Sequence, residues 1–98
     1  MPTYLVRARL PEATSADIRA AVARVADSAG QLRREGFRIH CVHTTYVPTD
    51  GWLGCLYEAD SAVEVKYAVE RAVLPFDDIV EATCPGPDAE TNPRGENR

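Results

Sequence analysis

The chain has 98 residues, of which 45% are apolar and 27% charged, with a formal net charge of −4. That length and apolar content suit one soluble globular domain with a core of its own and exclude a wholly disordered chain. The acidic balance leaves no basic footprint, so nucleic acid is not an expected partner.

The opening stretch MPTYLVRARLPE carries no long apolar run behind its charges. It predicts neither a signal peptide nor a spanning helix, and so a cytoplasmic protein without a membrane partner. Thr3 to Leu10 alternates: Tyr4, Val6, Ala8 and Leu10 share one side, and Leu5, Arg7 and Arg9 the other. This is the pattern of a strand, which Pro11 ends. Thr14 followed by Asp17 resembles a capping box with a shortened acid, so a helix is expected to begin there. Ile18, Ala21, Val22, Val25, Ala29 and Leu32 recur at helical spacing and predict one buried face. Gly36 stands where a left-handed residue would close that helix.

Residues 37 to 59, FRIHCVHTTYVPTDGWLGCLYEA, read as one β-hairpin. Runs 37–47 and 52–59 are rich in β-branched and aromatic residues, and Pro48, Asp50 and Gly51 supply the turn. Ser61 and Glu64 predict a second capping box behind Asp60. Ala62, Val65, Val69, Ala72 and Val73 form the apolar stripe of the helix it opens, which Leu74-Pro75 stops. Ile79 to Cys84 reads as a last strand. From Pro85 the sequence PGPDAETNPRGENR has no apolar periodicity, so a domain over 1–86 and a disordered tail over 87–98 are expected.

The order strand, helix, strand, strand, helix, strand is the βαββαβ arrangement of the ferredoxin-like α+β fold. It places two helices on one face of a four-stranded antiparallel sheet. The alternation predicts Tyr4, Val6, Ala8, Phe37, Ile39, Cys41, Leu53, Cys55 and Tyr57 on the helix side. Arg7, Arg9, His40, Val42, Trp52, Leu56, Glu58, Ile79 and Glu81 are then outward. Parity past Thr44 stays open, because Thr44-Thr45 could hide a bulge. An open face so mixed in character implies a partner, and a second copy packed sheet to sheet gives a homodimer of the α+β barrel kind, with an interior able to hold a small ligand.

Three constellations carry chemistry. On the open face, Arg7, His40, Trp52, Glu58 and Glu81 could line a ligand pocket, with Arg7 anchoring an anionic group and His40, Glu58 or Glu81 moving protons as catalytic candidates. The plainer alternative is that Arg7 and the two Glu residues form interface ion pairs. In HCVH, Cys41 lies between His40 and His43. A regular strand would put Cys41 and His43 together on one side, with Cys55 across the hairpin, as a set suited to nickel or another divalent transition metal. Structural or surface roles are the alternative for these residues, and three Cys without an export signal predict reduced thiols. A Cys41 nucleophile with a His43 base lacks an orienting acid or oxyanion donor.

YLVRARLP at the start, TTYVPTDG and GCLYEAD in the hairpin and AVERAVLPFDDIVEA at the end resemble a family of small bacterial ferredoxin-like proteins described as nickel-responsive or of unknown function. The resemblance spans residues 3 to 84. It implies a small dimeric metal-binding protein, with His43 and Cys55 matching the family pattern. Two positions depart from that pattern: Arg7 stands where the metal-binding branch has an acid, and Ala68 where it has a His. An Arg beside a divalent cation repels it. The family is similar in fold to dimeric α+β barrels that include cofactor-free cyclases and oxygenases of secondary metabolism. The alternative function is therefore a cofactor-free small-molecule-binding protein or enzyme with its pocket on the open face.

Overall fold

A computed structural model describes residues 1–83, so the expected tail over 87–98, the boundary at 86 and Cys84 lie outside the described residues. The elements run β1 (Thr3–Arg9), α1 (Ser15–Arg34), β2 (Ile39–Val47), β3 (Trp52–Ala59), α2 (Ala62–Arg71) and β4 (Phe76–Ala82). The strands form one antiparallel sheet in the order β2-β3-β1-β4. This is the ferredoxin-like α+β fold expected from the element order.

Local chemistry accounts for most boundaries. The Thr14 hydroxyl accepts from the Asp17 amide at 3.1 Å while the Asp17 carboxylate accepts from the Thr14 amide at 3.0 Å, so the shortened capping box closes in both directions. At the other end of α1, Gly36 has φ +102° and its amide donates to Arg33, releasing the chain toward β2. Gly51, with φ +69°, closes the hairpin turn; its amide donates to the Val47 carbonyl and its carbonyl accepts from Leu10. The second cap differs from expectation. Ser61 makes no side-chain cap bond, and Glu64 reaches back instead to the amide of Asp60 at 3.1 Å. The end of α2 is also unusual: Val73, a β-branched residue, takes φ +55° and is 75% exposed rather than part of the apolar stripe.

The core lies between the sheet and the helices. Val6, Leu53, Cys55, Tyr57 and Ile39 from the strands meet Val25 and Leu32 of α1 and Val65 and Val69 of α2, all buried. The helices are tied to each other by polar links that avoid leaving donors stranded. The buried Ser28 hydroxyl donates to the Ala68 carbonyl at 3.0 Å, and the Arg24 guanidinium donates to the last carbonyl of the α2 turn, Ala72, at 2.9 Å. Ala68 is itself fully buried.

Two irregularities reset the side-chain parity. In β2 the register passes from Cys41 opposite Tyr57 to His43 opposite Leu56, leaving Val42 as an extra residue. The bulge therefore falls at Val42, earlier than the Thr44-Thr45 pair, and one inserted residue inverts every later position of the strand. In β4 the pairing shifts between Arg7 and Ala8, so that Asp77 is extra, and Ile79 and Glu81 come opposite Val6 and Tyr4. These partners face the helices. The expected outward placement of Ile79 and Glu81 is thus corrected, and Ile79 packs against the core.

Candidate functional site

The face of the sheet turned away from the helices is built in rows, because residues paired across neighbouring strands point the same way. At one end His40, Glu58, Thr3 and Ala82 lie side by side across the four strands. Next come His43, Leu56, Leu5 and Val80, then Thr45, Gly54, Arg7 and Asp78, and last Val47, Trp52 and Arg9. The second row is an apolar stripe running from β3 to β4, with Leu5 and Leu56 half-buried and Val80 45% exposed. No helix of the described residues covers it.

Beside the stripe runs a ladder of ion pairs between β1 and β4. Arg7 presents its fork to both oxygens of Asp78, Nε to Oδ1 at 3.1 Å and Nη2 to Oδ2 at 2.5 Å. Arg9 donates through Nε to both oxygens of Asp77, at 3.2 and 2.9 Å. The hydrogen bond from Arg7 holds the Asp78 carboxyl below the usual carboxylate range, and Asp78 in turn raises the Arg7 guanidinium. Both pairs are substantially exposed, so their energy is modest while their effect on geometry is definite. They fix two guanidiniums along one edge of the open face.

Trp52 lies over β3 next to this ladder. Gly54 makes room for it: a Cβ at that position would come 2.8 Å from Cζ3 of the indole. Arg7, Arg9, Asp50, Trp52 and Asp77 together line a hollow of about 370 Å³. That is at the small end of the range for ligand sites, and its lining of one aromatic ring with charges of both signs is suited to a polar organic molecule.

The structure divides the residues expected to act together. Arg7 and Trp52 share the hollow, whereas His40 and Glu58 face each other at the far end, six residues along β3 from Trp52, or roughly 20 Å at strand rise. Glu81 belongs to neither group, being on the helix side of the sheet at its exposed edge. The expected metal set is also split. Because of the bulge, His43 shares the open face with His40, where its Nε2 lies 2.8 Å from the Thr45 hydroxyl, while Cys41 and Cys55 stay on the helix side. There burial pushes the Cys41 thiol up and the Cys55 thiol to about 12, which disfavours a free thiolate nucleophile at either position. Among the described residues no group of three or more His, Cys, Asp or Glu is placed to hold a metal ion. His43, Cys41 and Cys55 do not fit a divalent metal as one site.

Asp77, Asp78 and Asp50 were not among the expected site residues. Spacing gave no signal for the first two, since adjacent aspartates on a regular strand fall on opposite faces, and only the irregular β1–β4 pairing at Asp77 brings them to Arg9 and Arg7. A second hollow, of about 320 Å³, lies between α1 and edge strand β2; it is mainly apolar and lined by Val22, Val25, Ala26, Cys41 and Val42 among others.

No protein family matches this chain, and no curated protein does. Its fold is similar to that in the crystal structure of SCO4226 from Streptomyces coelicolor A3(2), with a TM-score of 0.69 over 86% of this chain and 99% of that one, at 22% identity. At that identity the likeness establishes the shared fold alone.

Proposed function

We propose that this protein is a homodimeric binding protein for a small organic molecule, with the ligand held on the open sheet face between two copies. The observation that supports this most directly is the juxtaposition on that face of an uncovered apolar stripe, Leu5, Leu56 and Val80, with a preformed hollow under Trp52. The stripe supplies apolar area for a sheet-to-sheet contact and the hollow supplies a place for a ligand at its border. Arg7 positions the wall of this site through Asp78.

Thermal denaturation in the presence of a panel of small organic molecules tests the reading, on the wild-type chain and on Leu5→Lys. A ligand at a hundredfold excess over its dissociation constant raises stability by about 2.7 kcal/mol. The expected result is a shift in the wild type that Leu5→Lys removes. A shift that survives in Leu5→Lys would show that the ligand is not held between two copies and would overturn the reading.

A divalent metal is a second reading, favoured by one observation: the Val42 bulge turns His43 onto the open face that His40 already occupies. It predicts metal in elemental analysis of protein purified without an affinity tag, lost in His43→Ala and kept in Cys55→Ala.

A further inference from the structure

The hollow under Trp52 has a charge balance that decides which kind of molecule it takes. Its two guanidiniums are already engaged: Arg7 by both oxygens of Asp78 and Arg9 by both oxygens of Asp77. An anionic ligand would meet guanidiniums whose charge these carboxylates already offset, with only the N–H groups they leave free to donate to it. It would also approach a third carboxylate. Asp50, carried into the lining by the hairpin turn, takes part in none of the ion pairs among the described residues. Arg7, Arg9, Asp50 and Asp77 line the hollow, and Asp78, outside the lining, holds Arg7; with each guanidinium matched by its own carboxylate, Asp50 is the lining charge left without a partner.

The remaining wall is the indole of Trp52, laid over the strand because Gly54 has no side chain. An aromatic face attracts cations through its quadrupole and offers apolar area to whatever carries the charge. Aromatic face and unmatched carboxylate are the two elements from which sites for organic ammonium groups are made.

We propose that this hollow binds a small organic cation, an alkylammonium or an amine-bearing aromatic molecule, with its charge toward Asp50 and its apolar part on Trp52. The inference rests on the open-face reading above and names its ligand class.

Trp52 is the only tryptophan of the chain, so intrinsic fluorescence reports on the hollow directly. The test titrates the full-length protein with benzyltrimethylammonium and with benzoate, aromatic probes of opposite charge. The expected result is a saturable change with the cation, at least tenfold tighter than any with benzoate. Asp50→Asn, which keeps a turn-forming residue before Gly51, is expected to weaken the cation roughly fivefold, the size of one exposed charge contact. Raising the ionic strength is expected to weaken the cation in the wild type and to leave neutral benzyl alcohol unchanged. Benzoate binding as tightly as the cation, or cation binding indifferent to both Asp50→Asn and salt, would overturn the inference while leaving the open-face reading intact. No saturable change with any probe would also overturn it, and the thermal screen with Leu5→Lys then judges the open-face reading separately.

Discussion

Tyr57 offers a prediction whose sign runs against the usual outcome of a core substitution. Its side chain is fully buried on the helix side of β3, opposite Cys41, and its hydroxyl has no hydrogen-bond partner among the described residues. Burial also pushes its ionisation far up, so the group stays a neutral phenol. A buried hydroxyl left without a partner costs about 1–3 kcal/mol in proteins, because it gives up its bonds to water and gains nothing in return. Tyr57→Phe removes that cost and keeps the ring in place. Against it stand the few dispersion contacts of one oxygen atom, at about 0.1–0.2 kcal/mol each. The balance is a gain of about 1–2 kcal/mol. For a domain of this size each kcal/mol moves Tm by roughly 4–8 °C, so calorimetry resolves the effect readily. Urea denaturation of the same pair should show a higher midpoint at an unchanged slope. A lower Tm for Tyr57→Phe would refute the reasoning, since it would mean that the hydroxyl is satisfied, by a trapped water or by the opening of the layer above it.

Val73→Gly is expected to stabilise by about 1 kcal/mol, because a β-branched residue with φ +55° is strained there and its exposed side chain packs little; the denaturation midpoint reads it, and a loss would show that Val73 is buried in solution. Acid unfolding should draw on three carboxyls held below their ordinary values: Asp78 by Arg7, Asp17 by the Thr14 amide and Glu35 by Arg71. Folded-state values that are lowered give stability present at neutral pH and lost as the pH falls from about 4 through those values, so Arg7→Gln should flatten the acid limb of stability against pH; an unchanged limb contradicts the pairing. Cys55, with its thiol pushed to about 12 by burial, should resist an alkylating reagent in the native protein and react on unfolding, as read by mass spectrometry of peptides; native labelling would show that α1 and α2 lift from the sheet.

The elements of the fold were legible because each carries a local signal: alternation in β1 and β3, a closed capping box before Ser15, and glycine at the left-handed positions 36 and 51. What local signals do not carry is an inserted residue. The bulge at Val42 has no turn residue to mark it, since Val42 is a good strand former, and yet it moves His43 to the other face from Cys41. The last strand was expected from Ile79, and the two aspartates ahead of it are poor strand formers. The pairing with Arg7 and Arg9 overrides that preference, starts the strand at Phe76 and turns Glu81 away from the open face. Arg7, His40, Trp52 and Glu58 were placed on the correct face by simple alternation. Their separation into two ends of the sheet follows from register, which belongs to pairs of strands and is not contained in either strand alone.

The claim on which the account turns is that Leu5, Leu56 and Val80 are covered in solution by a second copy of the chain. Sedimentation equilibrium at micromolar concentration measures this directly, on the wild type and on Leu56→Glu, which sets a charge in the middle of the stripe without touching the helix layer. The wild type is expected to sediment at twice the 10.7 kDa chain mass and Leu56→Glu as a folded monomer. A wild type that sediments as a monomer, or a variant that remains a dimer, would contradict it.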